Sequence, residues 1–252
     1  MEKLSVVIIT YNEERNIERC IKSVQSIADE IIVLDSYSTD KTQEICESHG
    51  VIFSAHKFDG HIQQKNRALA LAKNEWVLSL DADEVPDEKL LQSIKDVLEN
   101  PTSEAYSFNR LTNYLGKWVR YSGWYPDRKL RLLKKSIGHW AGINPHDKIE
   151  LEQDAQSIHL EGDLLHYSYY SIEQHIDQIN KFTTIGAFEA HKKGRKSNMA
   201  IAIVKSSWKF IRDYFFKLGI LDGYYGFVIC SLSAWATFNK YLKLRELNQG
   251  NV

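Results

Sequence analysis

The chain opens with a continuous apolar, β-branched run, Leu4–Thr10, the pattern of a strand buried on both faces of a parallel sheet. From Glu13 to Ala28 the periodicity changes. Ile17, Ile21, Val24 and Ala28 fall on one helical face, with acids in the first turn. Glu30–Asp35 reads as a second buried strand, and Asp40–His49 as a short helix stopped by Gly50 as its C-cap. Val51–Ser54 predicts a third strand, His61–Lys73 a helix, and Trp76–Leu80 a fourth strand that ends at Asp81. A helix over Asp87–Glu99 follows, with Pro86 near its start and Pro101 beyond its end. Strands separated by single helices predict an α/β fold with a doubly wound, mainly parallel sheet.

In such sheets ligands bind at the carboxyl ends of the strands. Those ends here carry Tyr11-Asn12-Glu13, Asp35-Ser36 and Asp81-Ala82-Asp83. Asp and Asn are common turn and N-cap residues, so each group alone has a bland explanation. Three strand ends finishing in acid or amide groups form a functional pattern. Two carboxylates two residues apart at a strand end can approach one hard cation, Mg²⁺ or Mn²⁺, whose charge would neutralise a diphosphate leaving group.

Beyond Glu104 the pattern shifts to short strands and aromatic loops up to about Tyr170. Trp118, Trp124 and Trp140 stand beside Tyr114, Tyr121 and Tyr125. Such loops suit a sugar or apolar ligand, or simply seal a small core. Nearer the end, Ile201, Val204, Trp208, Ile211 and Phe215 make a helical apolar stripe with Lys205, Lys209 and Arg212 alongside. Phe227, Trp235, Phe238 and Leu242 make a second, ending in Lys240, Lys243 and Arg245. Apolar stripes flanked by cations suit helices lying on an anionic membrane surface. The alternative is packing against the rest of the chain or against a second subunit, which would make a homo-oligomer.

Composition sharpens this division. The 252 residues carry 32 Lys+Arg and 33 Asp+Glu, a formal net charge of −1 that argues against a nucleic-acid binder. The sum conceals a gradient, from −8 over residues 1–100, through zero over 101–188, to +7 over 189–252. Charged residues at 26% and hydrophobic ones at 43% fit a folded protein. The three cysteines, Cys20, Cys46 and Cys230, lack zinc or disulfide spacing and suit a reducing cytosol. The N-terminal run has no secretory pattern, and the longest uncharged stretch, 17 residues from Gly223 to Asn239, falls short of a membrane span. A cytoplasmic protein, peripheral on the inner face of the plasma membrane, is expected.

Four motifs carry a resemblance. Ser5-Val-Val-Ile-Ile-Thr-Tyr-Asn-Glu13, Val33-Leu-Asp-Ser-Tyr-Ser-Thr-Asp-Lys-Thr42, Gln64-Lys-Asn-Arg-Ala68 and Leu80-Asp-Ala-Asp-Glu84 resemble glycosyltransferase family 2 in order and spacing. The resemblance implies a GT-A fold with an inverting mechanism. By it, Tyr11, Glu13 and Asp35 would hold the nucleoside, Lys65 would lie near the phosphates, Asp81 near the ribose or metal, and Asp83 would ligate the metal. Residues 1–100 would then bind the nucleotide sugar, residues 101–188 the acceptor, and 189–252 would form a basic helical extension.

Trp124-Tyr-Pro-Asp-Arg-Lys-Leu-Arg-Leu-Leu133, Pro145-His-Asp-Lys148, Gly162-Asp-Leu-Leu-His-Tyr-Ser168 and Leu221-Asp-Gly-Tyr-Tyr-Gly226 resemble the lipopolysaccharide-core β-glucosyltransferase subgroup. UDP-glucose is the donor this implies, with a glycan or lipid-linked acceptor. The Q-x-x-R-W motif of processive synthases is missing, which implies a single addition. Asp147 is the candidate general base, standing where the subgroup carries Glu; alternatively it caps a turn after Pro145. Asp127 is the second candidate. His166 would complete the metal site or act only as a structural donor. Trp124, Asp127, Arg128 and Arg131 are candidate acceptor or phosphate contacts, unless the two arginines line a solvated strand edge.

Three rivals remain at this level. A sugar nucleotidyltransferase would want a glycine-rich loop after the first strand, and Thr10-Tyr-Asn-Glu-Glu14 has no glycine. A transferase acting on a peptide side chain is compatible with every motif. A catalytically dead nucleotide-binding or membrane-surface protein is opposed by the complete set of acids.

Overall fold

A computed structural model describes residues 2–143, 146–152 and 155–250. Pro145, in the motif that carries Asp147, lies outside the described residues. The elements in order are β1 (Leu4–Thr10), α1 (Ile17–Val24), β2 (Glu30–Asp35), α2 (Thr42–Ser48), β3 (Ile52–Ala55), α3 (His61–Leu71), β4 (Trp76–Asp81), β5 (Glu84–Pro86) and α4 (Glu88–Glu99). The chain continues with β6 (Ala105–Tyr114), β7 (Lys117–Trp118), β8 (Asp127–Lys134), β9 (Gly138–Ile143), β10 (His146–Leu151) and β11 (Ser157–Tyr169). Helices α5 (Ile172–Lys192), α6 (Met199–Ile211) and α7 (Gly223–Gln249) complete it, with a π-helical turn at Arg212–Phe216 and a 3₁₀ turn at Gly219–Asp222.

The chain divides into two compact units, residues 1–110 with 127–167, and residues 111–126 with 168–252. The segment limits expected from composition, near 100 and 188, fall inside these units.

The first unit is built on a sheet of order β3-β2-β1-β4-β8-β6-β11-β5. Strands β3, β2, β1 and β4 are parallel, and β8 turns back antiparallel on β4. The sheet is therefore mixed: parallel through the first 81 residues and antiparallel where β8 pairs β4 and β6 and where β5 pairs β11. Alternate residues of β1 face opposite layers. Leu4, Val6 and Ile8 pack with Ile17 and Ile21 of α1 and Leu90, Ile94 and Leu98 of α4. Val7 faces the other way, with Ala68 and Leu69 of α3 and Trp140 of β9. Burial on both faces is why the strand reads as one uninterrupted apolar run.

Asp87 caps α4 by accepting from Leu90 N at 2.7 Å. Gly162 lies against that first turn with φ +105°, where a Cβ would come 2.3 Å from Leu90 N. Glycine is the residue that allows β11 to pass so close.

The second unit holds the end of β6, β7, the end of β11 and the three long helices. Tyr114, Trp124, Tyr169 and His175 form an aromatic knot, and Tyr114 Oη and His175 Nδ1 share a 2.9 Å hydrogen bond. Helix α7 packs along both α5 and α6. The α/β class and the C-terminal helices agree with the sequence reading. The middle of the chain has the expected short strands in β7, β9 and β10, of 2, 6 and 6 residues, but also two long ones, β6 of 10 residues and β11 of 13. A register shift between Tyr106 and Ser107 breaks the alternation of β6.

Candidate active site

Strand register places the site. Thr10 stands opposite Asp35 and Ile9 opposite Asp81, so the loops after β1, β2 and β4 leave from one edge of the sheet. The first two loops are stitched together. Asn12 N donates to Ser38 Oγ at 2.7 Å, Thr39 N to Asn12 Oδ1 at 2.8 Å, and Glu13 N to Thr42 Oγ1 at 2.9 Å. Asn12 and Tyr37 take left-handed conformations, φ 54° and 62°, to make these turns. Asp35 is buried, and both its oxygens accept from Ser38, from N at 2.7 Å and Oγ at 2.5 Å. Tyr11, in the first of these loops, is 57% exposed.

Glu13 hydrogen-bonds with Asn16. Burial, reinforced by the charges of Asp83, Asp40 and Asp81 and opposed by the Asn16 bond, raises its carboxyl to about 7.

The motif Gln64-Lys-Asn-Arg67 on α3 is a set of four separate anchors. Gln64 Nε2 donates to Ser36 Oγ at 3.1 Å. Lys65, buried, bridges two carboxylates, with Nζ 3.0 Å from Asp81 Oδ1 and 2.8 Å from Asp147 Oδ2. Asn66 exchanges two 2.8 Å bonds with the backbone of Trp140, which fastens the β9–β10 hairpin to α3. Arg67 pairs with Asp59 at the surface.

Asp147 is thus brought to Asp81 from 66 residues away through a single ammonium group. It sits in β10 opposite Gly142, while the turn that it would alternatively cap, at Pro145, lies outside the described residues. Trp140 is buried beneath the cations, its ring centroid 4.2 Å from Lys65 Nζ and 4.8 Å from Arg131 Cζ.

Arg131 corrects another expectation. It lines no solvated edge, being 3% exposed, with Nη2 2.9 Å from Glu84 Oε1 and 3.2 Å from Asp81 Oδ2. Arg110 lies 3.5 Å from the same Glu84 oxygen and 2.9 Å from Asp127, which also pairs with Lys129 at 3.0 Å. Burial alone would raise the Asp81 carboxyl, yet Lys65 and Arg131 hold it far below the usual range. The pair left facing each other is Asp83 and His166, with Nε2 3.2 Å from Asp83 Oδ2. His166 Nδ1 is buried without a partner among the described residues. Burial works against the ionised form of Asp83, but His166 beside it brings the carboxyl below its ordinary value.

Arg128 is exposed at the start of β8. Trp124 is spent on the aromatic knot of the other unit, where its neighbours are Tyr114, Tyr169 and His175. Trp140, one of the aromatics read as a ligand surface or a core seal, belongs to the core.

Sequence reasoning gave no role to Glu84, Arg110 or Asn66. Glu84 and Asn66 were inside quoted motifs; the available signal was a charged or amide residue next to an assigned one, facing a buried strand.

A cation fits this arrangement as a substrate-assisted site. Among the described residues no three His, Cys, Asp or Glu side chains gather into a cage. Asp83 and His166 offer two ligands, and Mg²⁺-type sites commonly take the rest from water and substrate phosphate.

Residues 5–150 match the family model described as "Glycosyl transferase family 2". An uncharacterized glycosyltransferase of Rickettsia typhi is 34% identical, over 98% of this chain and 88% of its own length. The lipopolysaccharide core biosynthesis glycosyltransferase LpsC of Rhizobium meliloti is 27% identical over 84% of this chain and 80% of its own. Among solved structures, glucosyl-3-phosphoglycerate synthase from Mycobacterium tuberculosis in complex with Mn²⁺ and UDP-glucose is 25% identical, over 44% of each chain with a TM-score of 0.38.

Proposed function

The chain belongs to glycosyl transferase family 2, and on that premise we propose that it is an inverting enzyme that moves one sugar from a nucleotide diphosphate donor to a lipid-linked glycan. UDP-glucose is the proposed donor on the motif resemblance alone; a lipopolysaccharide core is the proposed acceptor class, a reading supported by the similarity to LpsC. The reaction would then lie at the cytoplasmic face of a membrane. The observation that carries the proposal is the meeting of Asp35, Asp81 and Asp83 at one sheet edge, with His166 and Asp147 reaching the same cluster from later strands.

In this reading the exposed Tyr11 ring stacks on the base, and the stitched loops carrying Glu13 and Asp35 receive the nucleoside. Asp83 and His166 would hold Mn²⁺ or Mg²⁺, which supplies positive charge against the diphosphate as it leaves. Asp81 holds Lys65, and Lys65 fixes the Asp147 carboxylate. The acceptor hydroxyl oxygen attacks the anomeric carbon while Asp147 takes its proton; the bond to the diphosphate breaks on the opposite face, which inverts the centre.

Asp147→Asn is isosteric and cannot accept that proton. It is expected to bind UDP-glucose as the parent does and to lose transfer by roughly 10²–10⁴-fold. Transfer near the parent rate would move the base to Asp127.

A further inference from the structure

The second unit has a feature that sugar transfer does not use. Helix α6 with its π-helical turn, Met199–Phe216, meets the segment Gly219–Gln249 at a bend of 71°. The bend is built in. Gly226 on the first turn of α7 lies so close to the preceding turn that a Cβ would sit 1.8 Å from Gly219 O. Around it the large apolar side chains point outward: Phe215, Phe216, Leu218, Ile220, Leu221 and Tyr224 are all exposed, Phe216 by 68%.

The apolar stripes read from the sequence are therefore not evenly presented. Val204, Trp208, Ile211 and Phe215 remain open, whereas Phe238 and Leu242 are half-buried. An apolar groove of about 500 Å³ between α6 and α7, lined by Phe210, Ile211, Ala234, Trp235 and Phe238 among others, adjoins the same face. No single helix among the described residues is long and apolar enough to cross a membrane.

Charge selects the occupant. Between Met199 and Arg245 the acidic residues are Asp213 and Asp222, and both are buried. Asp213 is taken by Lys209 at 2.6 Å and Arg212 at 2.8 Å. Asp222 accepts from the backbone N–H groups of Arg120 and Tyr121 and from Ser122 Oγ. The exposed apolar face is thus rimmed by cations, Lys205 and Lys217 among them, and the exposed acid of these elements, Glu246, stands in the last turn of α7, far along the helix from the bend. Two copies meeting through this face would bring like charges together. A bilayer with anionic headgroups offers both the apolar depth and the opposite charge.

We propose that the α6–α7 bend inserts, apex first, into the headgroup–acyl boundary of an anionic bilayer. The apex reaches one to two helical turns along each arm, on the order of 5–10 Å, the depth of that boundary. Lys205 and Lys217 meet lipid phosphates while Phe215, Phe216 and Leu221 enter the acyl region. This contact does not depend on the donor site, and UDP binding by the same samples in solution reports that site separately.

The test is co-sedimentation of the whole protein with phosphatidylglycerol-containing vesicles and with pure phosphatidylcholine vesicles. The expected result is binding to the former that weakens as salt rises, and much weaker binding to the latter. The variant Phe215→Ser/Phe216→Ser/Leu221→Ser, with unchanged circular dichroism, should lose more than about tenfold in partitioning, because each buried apolar side chain adds to interfacial binding. Should that variant fold poorly, brominated lipid is used with the parent chain. It should quench tryptophan emission, and less so in Trp208→Phe. Equal partitioning by the apex variant, no binding to phosphatidylglycerol at low salt, or no quenching would overturn the proposal. A dimer that the apex substitutions dissociate, without vesicle binding, would also overturn it in favour of self-association.

Discussion

Arg131 and Glu84 are almost completely buried, at 3% and 0%, and they set how the acids around them can be used. Arg131 binds Glu84 and Asp81 together, and Asp81 N donates back to Glu84 Oε2 at 3.0 Å. A buried ion pair contributes little net stability over a hydrophobic substitute, but removing one partner leaves a charge without water or counter-ion. Arg131→Met is therefore expected to destabilise the fold by about 3–5 kcal/mol, read from chemical unfolding midpoints. Arg67→Ala, which breaks the exposed pair with Asp59, should change the midpoint little. Similar losses in both would contradict the description of Arg131 as an internal counter-ion. Strand-end position and motif together single out Asp81 and Asp83 in the sequence, and the motif resemblance alone singles out Asp147 and His166; the fold brings Asp147 to Asp81 through Lys65 and His166 to Asp83. Arg131 was legible only as a cation. Its partners come from the register of β8 against β4, in which Leu132 stands opposite Leu78, and that register is a tertiary fact.

Among the elements, β1 and β2 are found within the limits read from the sequence, since continuous apolar runs on doubly covered strands leave little ambiguity. Helix α1 is shorter than its periodicity, Ile17–Val24 within the expected Glu13–Ala28, because residues 13–16 are drawn into the loop contacts with Thr42 and Asp40. The aromatic cluster around Trp124 was legible in composition but not in purpose. It packs around His175 of α5, and burial lowers that imidazole to about 4 from its ordinary 6.5. The neutral ring therefore contributes stability that is fully present above about pH 6.5 and lost as pH falls toward 4, about 3 kcal/mol in all. Glu13, raised to about 7, works in the opposite sense as pH rises from 4.5 to 7. Comparison of parent and variant separates the two. His175→Gln should flatten the rise of unfolding free energy between pH 4 and 6.5, and an unchanged slope would remove His175 as its source.

For the whole molecule, the net charge of −1 arises from opposed ends. The acidic first hundred residues supply the strand-end carboxylates, some of them already neutralised by Lys65, Arg110 and Arg131. The basic final segment keeps its two central acids buried and presents Lys205 and Lys217 outward. The gradient was visible in the sequence; the pairing of Asp81 and Glu84 with Lys65 and Arg131 was not. A thermal-shift titration with UDP-glucose, with and without Mn²⁺, on the parent and on Asp83→Ala tests the donor site most directly, because a ligand that binds only the native state raises its melting temperature. The expected result is a shift that requires Mn²⁺ in the parent and is absent in Asp83→Ala. No shift in the parent with Mn²⁺ present, or the same Mn²⁺-dependent shift in Asp83→Ala, would contradict it.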